Sequence, residues 1–197
     1  ERASLEDQVL SKQASLGEAF SIASTEVSRI NINQMFSNDG DEYSLDIDYG
    51  GNFLGIHKGR SEKIIVIGSH LDSQKHGGNF DGLAGVIMGI ILIKTLKENN
   101  IKPHYSIGVM GIRGEESCWF PYSYIGSKIA IGQFDKKLLH SLKRSDTNKS
   151  LYYHINKSGF DAKKIEQGKV KFNLKNIRYF IEPHIEQGPV LEKKKKP

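Results

Sequence analysis

The chain has 197 residues, 38% of them apolar and 26% charged, which is ordinary for a soluble globular protein holding one domain or one domain and part of a second. Its formal charge of +5 is modest. The basic residues gather at Lys193, Lys194, Lys195 and Lys196 and at Lys136, Lys137, Lys143 and Arg144 with no zinc-finger, helix-turn-helix or RNA-binding cue, so nucleic acid is not the expected partner. A single cysteine, Cys118, rules out a disulfide within the chain and suits a reducing, cytoplasmic setting, while the apolar stretch around Val86 to Ile93 is too short to span a bilayer and no signal peptide is suggested.

In chain order, residues 14–30 carry Leu16, Ala19, Phe20, Ala23, Val27 and Ile30 at the spacing of an amphipathic helix. A turn comes next at residues 38–40. Tyr43, Leu45 and Ile47 then alternate with Ser44, Asp46 and Asp48, a half-exposed strand, and a second strand runs from Asn52 to His57. The β-branched run from Lys63 to Gly68 predicts a central strand buried on both faces. A long apolar helix is expected from Gly82 to Asn99, a buried strand from Tyr105 to Ile112 and a helix from Tyr122 to Ile131. Short polar helices are expected over residues 135–169, and a last strand from Arg178 to Ile185. Strands alternating with helices imply an α/β fold with a mostly parallel central sheet and helices on both faces. Ligands of such sheets gather beyond the carboxyl ends of the strands.

Three motifs fall at those ends. Gly68-Ser-His-Leu-Asp-Ser, with Gly77-Gly-Asn-Phe-Asp-Gly82, puts His70, Asp72 and Asp81 on a glycine-rich loop after the first buried strand. An imidazole and carboxylates gathered there are what a divalent ion takes as ligands. In extended backbone His70 and Asp72 point the same way, so Asp72 is placed to accept the ring proton of His70; a loop histidine paired with a neighbouring charge is the plainer reading. Asp81 is equally well placed as a helix N-cap. Glu115 and Glu116 come after the second buried strand, where one carboxylate can bind metal and the other, its pKa raised, can take a proton from water. His184 sits in Pro183-His-Ile-Glu-Gln-Gly-Pro189 after the third, again a ligand type. His57, His76, His104, His140 and His154 lack such a setting and are assigned to surface or packing. Cys118 has no partner for nucleophilic catalysis, and neither a G-x-S-x-G elbow nor a phosphate-binding glycine loop is present.

These motifs, with Gly111-Ile-Arg-Gly-Glu-Glu-Ser-Cys-Trp-Phe120, resemble the N-carbamoyl-L-amino-acid hydrolase and allantoate amidohydrolase family, hydantoinase/carbamoylase amidases of the dinuclear metallo-aminoacylase and carboxypeptidase clan. The resemblance covers roughly residues 50–192. It implies a zinc-peptidase-like catalytic domain with two divalent ions, which zinc, manganese, cobalt or nickel would all suit. His70 and His184 would bind one ion, Asp81 would bridge both, Glu116 would bind the second, Glu115 would be the general base, Asp72 would hold His70, and Gln187 would contact substrate. The implied reaction is hydrolysis of a linear C–N amide or ureido bond in an N-carbamoyl-L-amino acid, allantoate or a related ureido acid. An aminoacylase or dipeptidase of the same clan is the nearest rival, and an inactive metal-binding fragment the rival from another class.

Two departures stand out: Ser117 where the family commonly has glycine, and Trp119 where it has arginine, a change expected to reshape the pocket. Family members are also about twice this length. In them a lid and dimerisation domain comes after the His184 motif, and a returning segment supplies the second ion's last histidine. Residues 1–192 are therefore expected to be the N-terminal portion of the catalytic domain, residues 193–197 the start of a further segment, and the full-length parent a homodimer. The sheet is expected to show an open edge and exposed apolar surface.

Overall fold

The computed structural model describes residue 36, residues 42–78 and residues 80–195. The helix expected over residues 14–30 and the turn at residues 38–40 lie outside the described residues. The strands are β1 (Tyr43–Ile47), β2 (Phe53–His57), β3 (Ser61–His70), β4 (Tyr105–Ile112) and β5 (Ile177–Ile181). They form one sheet in the order β1-β2-β4-β3-β5. β3 is parallel to both its neighbours, β4 and β5. On the other side, β2 runs antiparallel to both β4 and β1. The short connection through Gly50 and Gly51 permits a hairpin between β1 and β2, whereas the parallel β3–β4 pair needs a crossover element.

That crossover carries α1 (Leu83–Glu98). Its buried residues, Gly85, Val86, Gly89 and Ile93, recur near the helical period and press against Phe53, Ile107 and Val109 on one face of the sheet. Val86 and Ile93 are essentially sealed from solvent, and each such burial contributes about 1.5–3 kcal/mol. The other face presents Leu54, Ile64, Val66, Met110 and Ile112 to Phe172 and to Ala130 of α2 (Ile125–Ala130). α3 (Leu138–Ser141), α4 (Leu151–Lys157) and α5 (Ala162–Glu166) pack with α2 around Leu139, Leu142, Leu151 and Ile155. The α/β architecture, with helices on both faces and its parallel part at β4-β3-β5, is the one expected.

Several boundaries differ from the sequence reading, β3 for one running from Ser61 to His70. α2 starts at Ile125 rather than Tyr122 because Tyr124 adopts φ +63, a left-handed conformation a right-handed helix cannot pass through. β5 ends at Ile181 rather than Ile185, two residues ahead of Pro183, which has no N–H to give a ladder. A final short helix, α6 (Val190–Lys193), crosses the division expected at residue 192. Among the described residues β5 pairs with β3 alone, and its Tyr179, Phe180 and Ile181 are exposed, the open apolar edge anticipated from the sequence.

Candidate metal centre

The ends of β3, β4 and β5 lie along one edge of the sheet, and their register brings the three motifs together. His70 is opposite Ile112, the last residue of β4. The ladder continues as the Leu71 N–H donates to the Ile112 carbonyl at 2.7 Å. His70 is thus the final residue of β3, not a loop residue as expected, because pairing with β4 persists to it. On the other side Ile67 pairs with Ile181. Three more residues along each parallel chain reach His70 and His184. The buried Ser69 hydroxyl fastens this extension by donating to Glu182 Oε1 at 2.6 Å.

Two glycines permit the close packing. At Gly82, φ is +70 and a Cβ would fall 2.3 Å from His70 Nδ1. Any side chain there would be strained and would collide with the imidazole. At Gly85 a Cβ would lie 2.2 Å from the Pro183 carbonyl oxygen, so α1 can approach the His184 segment only through glycine. Gly82 also takes the N-cap position of α1, with no side-chain cap bond. Asp81 is therefore not the cap that its place before the helix suggested, and its carboxylate is left for the site.

His70 Nε2 lies 3.1 Å from His184 Nε2 and 3.6 Å from Asp81 Oδ1, and His184 Nε2 lies 3.2 Å from that same oxygen. Ligand atoms at about 2.0–2.2 Å from one tetrahedral ion stand about 3.3–3.5 Å apart, so the triangle has the dimensions of one face of a coordination shell. Two nitrogens and an oxygen suit zinc and similar divalent ions. His70 Nδ1 meets the Asp72 carbonyl oxygen at 2.5 Å. That contact makes Nδ1 the protonated nitrogen and leaves Nε2 free to coordinate. These residues fit a divalent ion.

A second group, sharing His70, consists of His70, Glu115 and Glu116, whose ligand-type atoms come within 4.8 Å of one another. Glu115 Oε2 is 3.9 Å from His70 Nε2. Desolvation pushes the Glu115 carboxyl above its ordinary pKa; His70 opposes this, and Glu116, Asp72 and Glu182 add to it. Glu116 accepts the side-chain amide of Gln74. Asp81 and Glu116 fall in separate groups, joined through His70.

Asp72 acts differently from the expected arrangement. It meets His70 through its backbone carbonyl, while its carboxylate accepts the N–H groups of Glu115 at 3.1 Å and Glu116 at 3.0 Å. The chain turns after His70, so the two side chains no longer project together as they would in extended backbone. Gln187 likewise turns inward, its amide donating to both oxygens of Asp81. Trp119 lines a separate small cavity that Asp72 and Glu116 also line, with Lys75 and Arg144 against its ring, and is not among the residues lining the main cleft.

That cleft has a volume of about 810 Å³ and is lined by His70, Glu115, Glu116, Glu182, His184 and Gln187, among others, a size that accommodates a small organic substrate. Ser69, Gln74 and Glu182 had escaped the sequence reading. Only the position of Glu182 two residues before His184 hints at a role. Desolvation, with Asp72 and Glu116 nearby, raises the thiol pKa of Cys118. His57 is buried and stacked on Tyr43, and His140 pairs with Glu166, so both serve packing or surface roles.

The family model described as peptidase family M28 matches residues 52–171, which include His70, Asp72, Asp81, Glu115 and Glu116. The chain belongs to peptidase family M28. Among relatives of this M28 chain, the N-carbamoyl-L-amino-acid amidohydrolase of Pseudomonas sp. (strain NS671) is 33% identical over 152 residues, covering 76% of this chain and 36% of its own. The allantoate amidohydrolase of Bacillus subtilis (strain 168) is 33% identical over 144 residues, 72% of this chain and 34% of its own. An amidase of the hydantoinase/carbamoylase family from Burkholderia multivorans superposes with a TM-score of 0.74 at 25% identity, over 97% of this chain and 46% of that one. The family resemblance and the fold it implied are thereby borne out. The chain spans about a third of the length of the curated relatives it matches and just under half of the solved one.

Proposed function

We propose that this protein is the metal-bearing part of a dinuclear amidohydrolase that cleaves a linear C–N bond in an N-carbamoyl-L-amino acid, allantoate or a related ureido acid. The observation that carries this reading is the His70–Asp81–His184 triangle beside the paired carboxylates of Glu115 and Glu116. His70, Asp81 and His184 would hold one divalent ion, with Glu116 and Asp81 serving a second. Zinc, manganese, cobalt and nickel all suit these ligands. Bound there, the ions supply Lewis acidity toward the scissile carbonyl and lower the pKa of water.

Glu115 is the general base. Its desolvated carboxylate holds a proton more readily than an exposed one, which matches a base that must take a proton from water and return it to the leaving nitrogen. Water adds across the C–N bond, its hydroxyl going to the carbonyl carbon and its proton to nitrogen. The names of the relatives support the ureido substrate class, and the reading extends to a cytoplasmic homodimeric parent.

Release of ammonia or free amino acid from N-carbamoyl-L-amino acids and allantoate, by the protein as expressed from its own gene, tests this. Glu115→Gln should lower kcat by about 10²–10⁴-fold, the usual worth of a positioned general base, and unchanged kcat would remove Glu115 from that role. A second reading, cleavage of peptide or acyl-amino-acid bonds, is favoured by the peptidase description of the matched family. Dipeptides and N-acetyl amino acids run beside the carbamoyl substrates decide between the two.

A further inference from the structure

Gln187 does something at this site that a substrate-contacting residue need not do. Its Nε2 lies 3.1 Å from Asp81 Oδ1 and 3.2 Å from Asp81 Oδ2, so one amide nitrogen sits almost equidistant from the two oxygens of the carboxylate. Asp81 is 5% exposed and has no capping duty, since α1 is entered through Gly82. Among the described residues its carboxylate otherwise meets only the two imidazoles, His70 and His184. Both of those approach Oδ1, so among the described residues Oδ2 is met by Gln187 alone.

We propose that Gln187 is a positioning residue for the metal ligand Asp81, pinning the carboxylate so that Oδ1 stays on the triangle formed with His70 and His184. This rests on the metal reading given above. A buried carboxylate with a free rotor must lose that freedom when an ion binds; one already held by a donor loses less. Hydrogen bonds from outside a coordination shell to its ligands commonly raise metal affinity in this way. An amide suits the task because it donates without bringing a positive charge that would compete with the ion. The segment is anchored close by: Glu186 Oε2 accepts the Leu191 N–H at 2.6 Å, at the start of α6, so Gln187 approaches Asp81 from a backbone held on its other side.

The test measures zinc affinity of the chain itself, by competition with a chromophoric chelator, for wild type, Gln187→Leu and His184→Ala. Leucine keeps much of the volume and deletes the donor. The expected result is an affinity about 10–100-fold weaker for Gln187→Leu, measured where thermal melting shows the metal-free variant still folded. Unchanged or tighter zinc binding by Gln187→Leu, with His184→Ala weakened, would overturn the positioning role and leave the metal site standing. Unchanged binding by His184→Ala would overturn the metal reading and this proposal with it.

Discussion

The carboxylate of Asp72 receives the backbone N–H of Glu115, at 3.1 Å, and with its other oxygen that of Glu116, at 3.0 Å. One side chain thus fixes the loop that carries both candidate acids, while the carbonyl of the same residue sets the tautomer of His70. Hydrogen bonds to a charged acceptor contribute about 1.5–3 kcal/mol each. Both bonds are only part-buried, so water replaces some of their worth and Asp72→Ala is expected to lower stability by about 2–4 kcal/mol, read as a drop in urea midpoint at constant m-value. A change below about 0.5 kcal/mol would mean that the loop holds its place without Asp72.

Gly85 gives a prediction whose sign opposes helix propensity. In an open helix interior Gly→Ala gains about 1 kcal/mol. Here the new methyl would fall 2.2 Å from the Pro183 carbonyl oxygen and 2.8 Å from Ser69 Cβ, and the backbone next to His184 would have to move. Gly85→Ala is expected to melt at a lower temperature than wild type and to bind zinc more weakly. A higher melting temperature with unchanged zinc affinity would contradict the packing of α1 against that segment.

Much of this centre is legible in the sequence because parallel strands deliver their ends to one edge. Once Ile64 to Ile67 and Tyr105 to Ile112 are read as buried strands, His70 and Glu115 must fall close together. The loops beyond the strand ends are harder to read. Nothing local says that Asp72 turns its carboxylate toward Glu115 rather than His70, because that depends on the chain's path after Leu71. The same holds for Gln187, whose partner Asp81 is 106 residues away. Asn52 shows the limit well: nothing in its place at the start of the second strand marks it for burial. It is in fact fully buried, accepting the Arg113 N–H and donating to the Gly126 carbonyl and to Asp48.

Asp48, its partner, has a pKa raised above 3.8, first by desolvation and against the hydrogen bonds from Asn52, Gly50 and Gly51. The folded state therefore holds this proton more tightly than the unfolded chain. In the window from the unfolded pKa of 3.8 up to the raised folded value, the folded state carries more protons and stability falls as pH rises. Replacement by Asn removes this dependence. The stability of wild type relative to Asp48→Asn, from urea unfolding between about pH 7 and about pH 4, should rise as the pH is lowered. A difference that stays flat, or shrinks, on acidification would contradict the assignment.

Cys118 is expected to react slowly. Its thiol is partly buried, with a pKa raised by desolvation and by Asp72 and Glu116, and the thiolate is the reactive form. Iodoacetamide at about pH 8 should alkylate it more slowly than a free cysteine peptide, with unfolding in urea restoring the peptide rate. Alkylation in the folded protein at or above the peptide rate would show an activated thiol instead.

Whether His70, Asp81 and His184 form one face of a metal site is decided by isothermal titration of the metal-free chain with zinc, beside His70→Ala and His184→Ala. At least one tight site per chain is expected in the wild type, and its loss in both variants, because two ligands from a three-residue face do not hold the ion comparably. Wild-type chain that binds no zinc, or variants that bind it as tightly as wild type, would contradict the metal site.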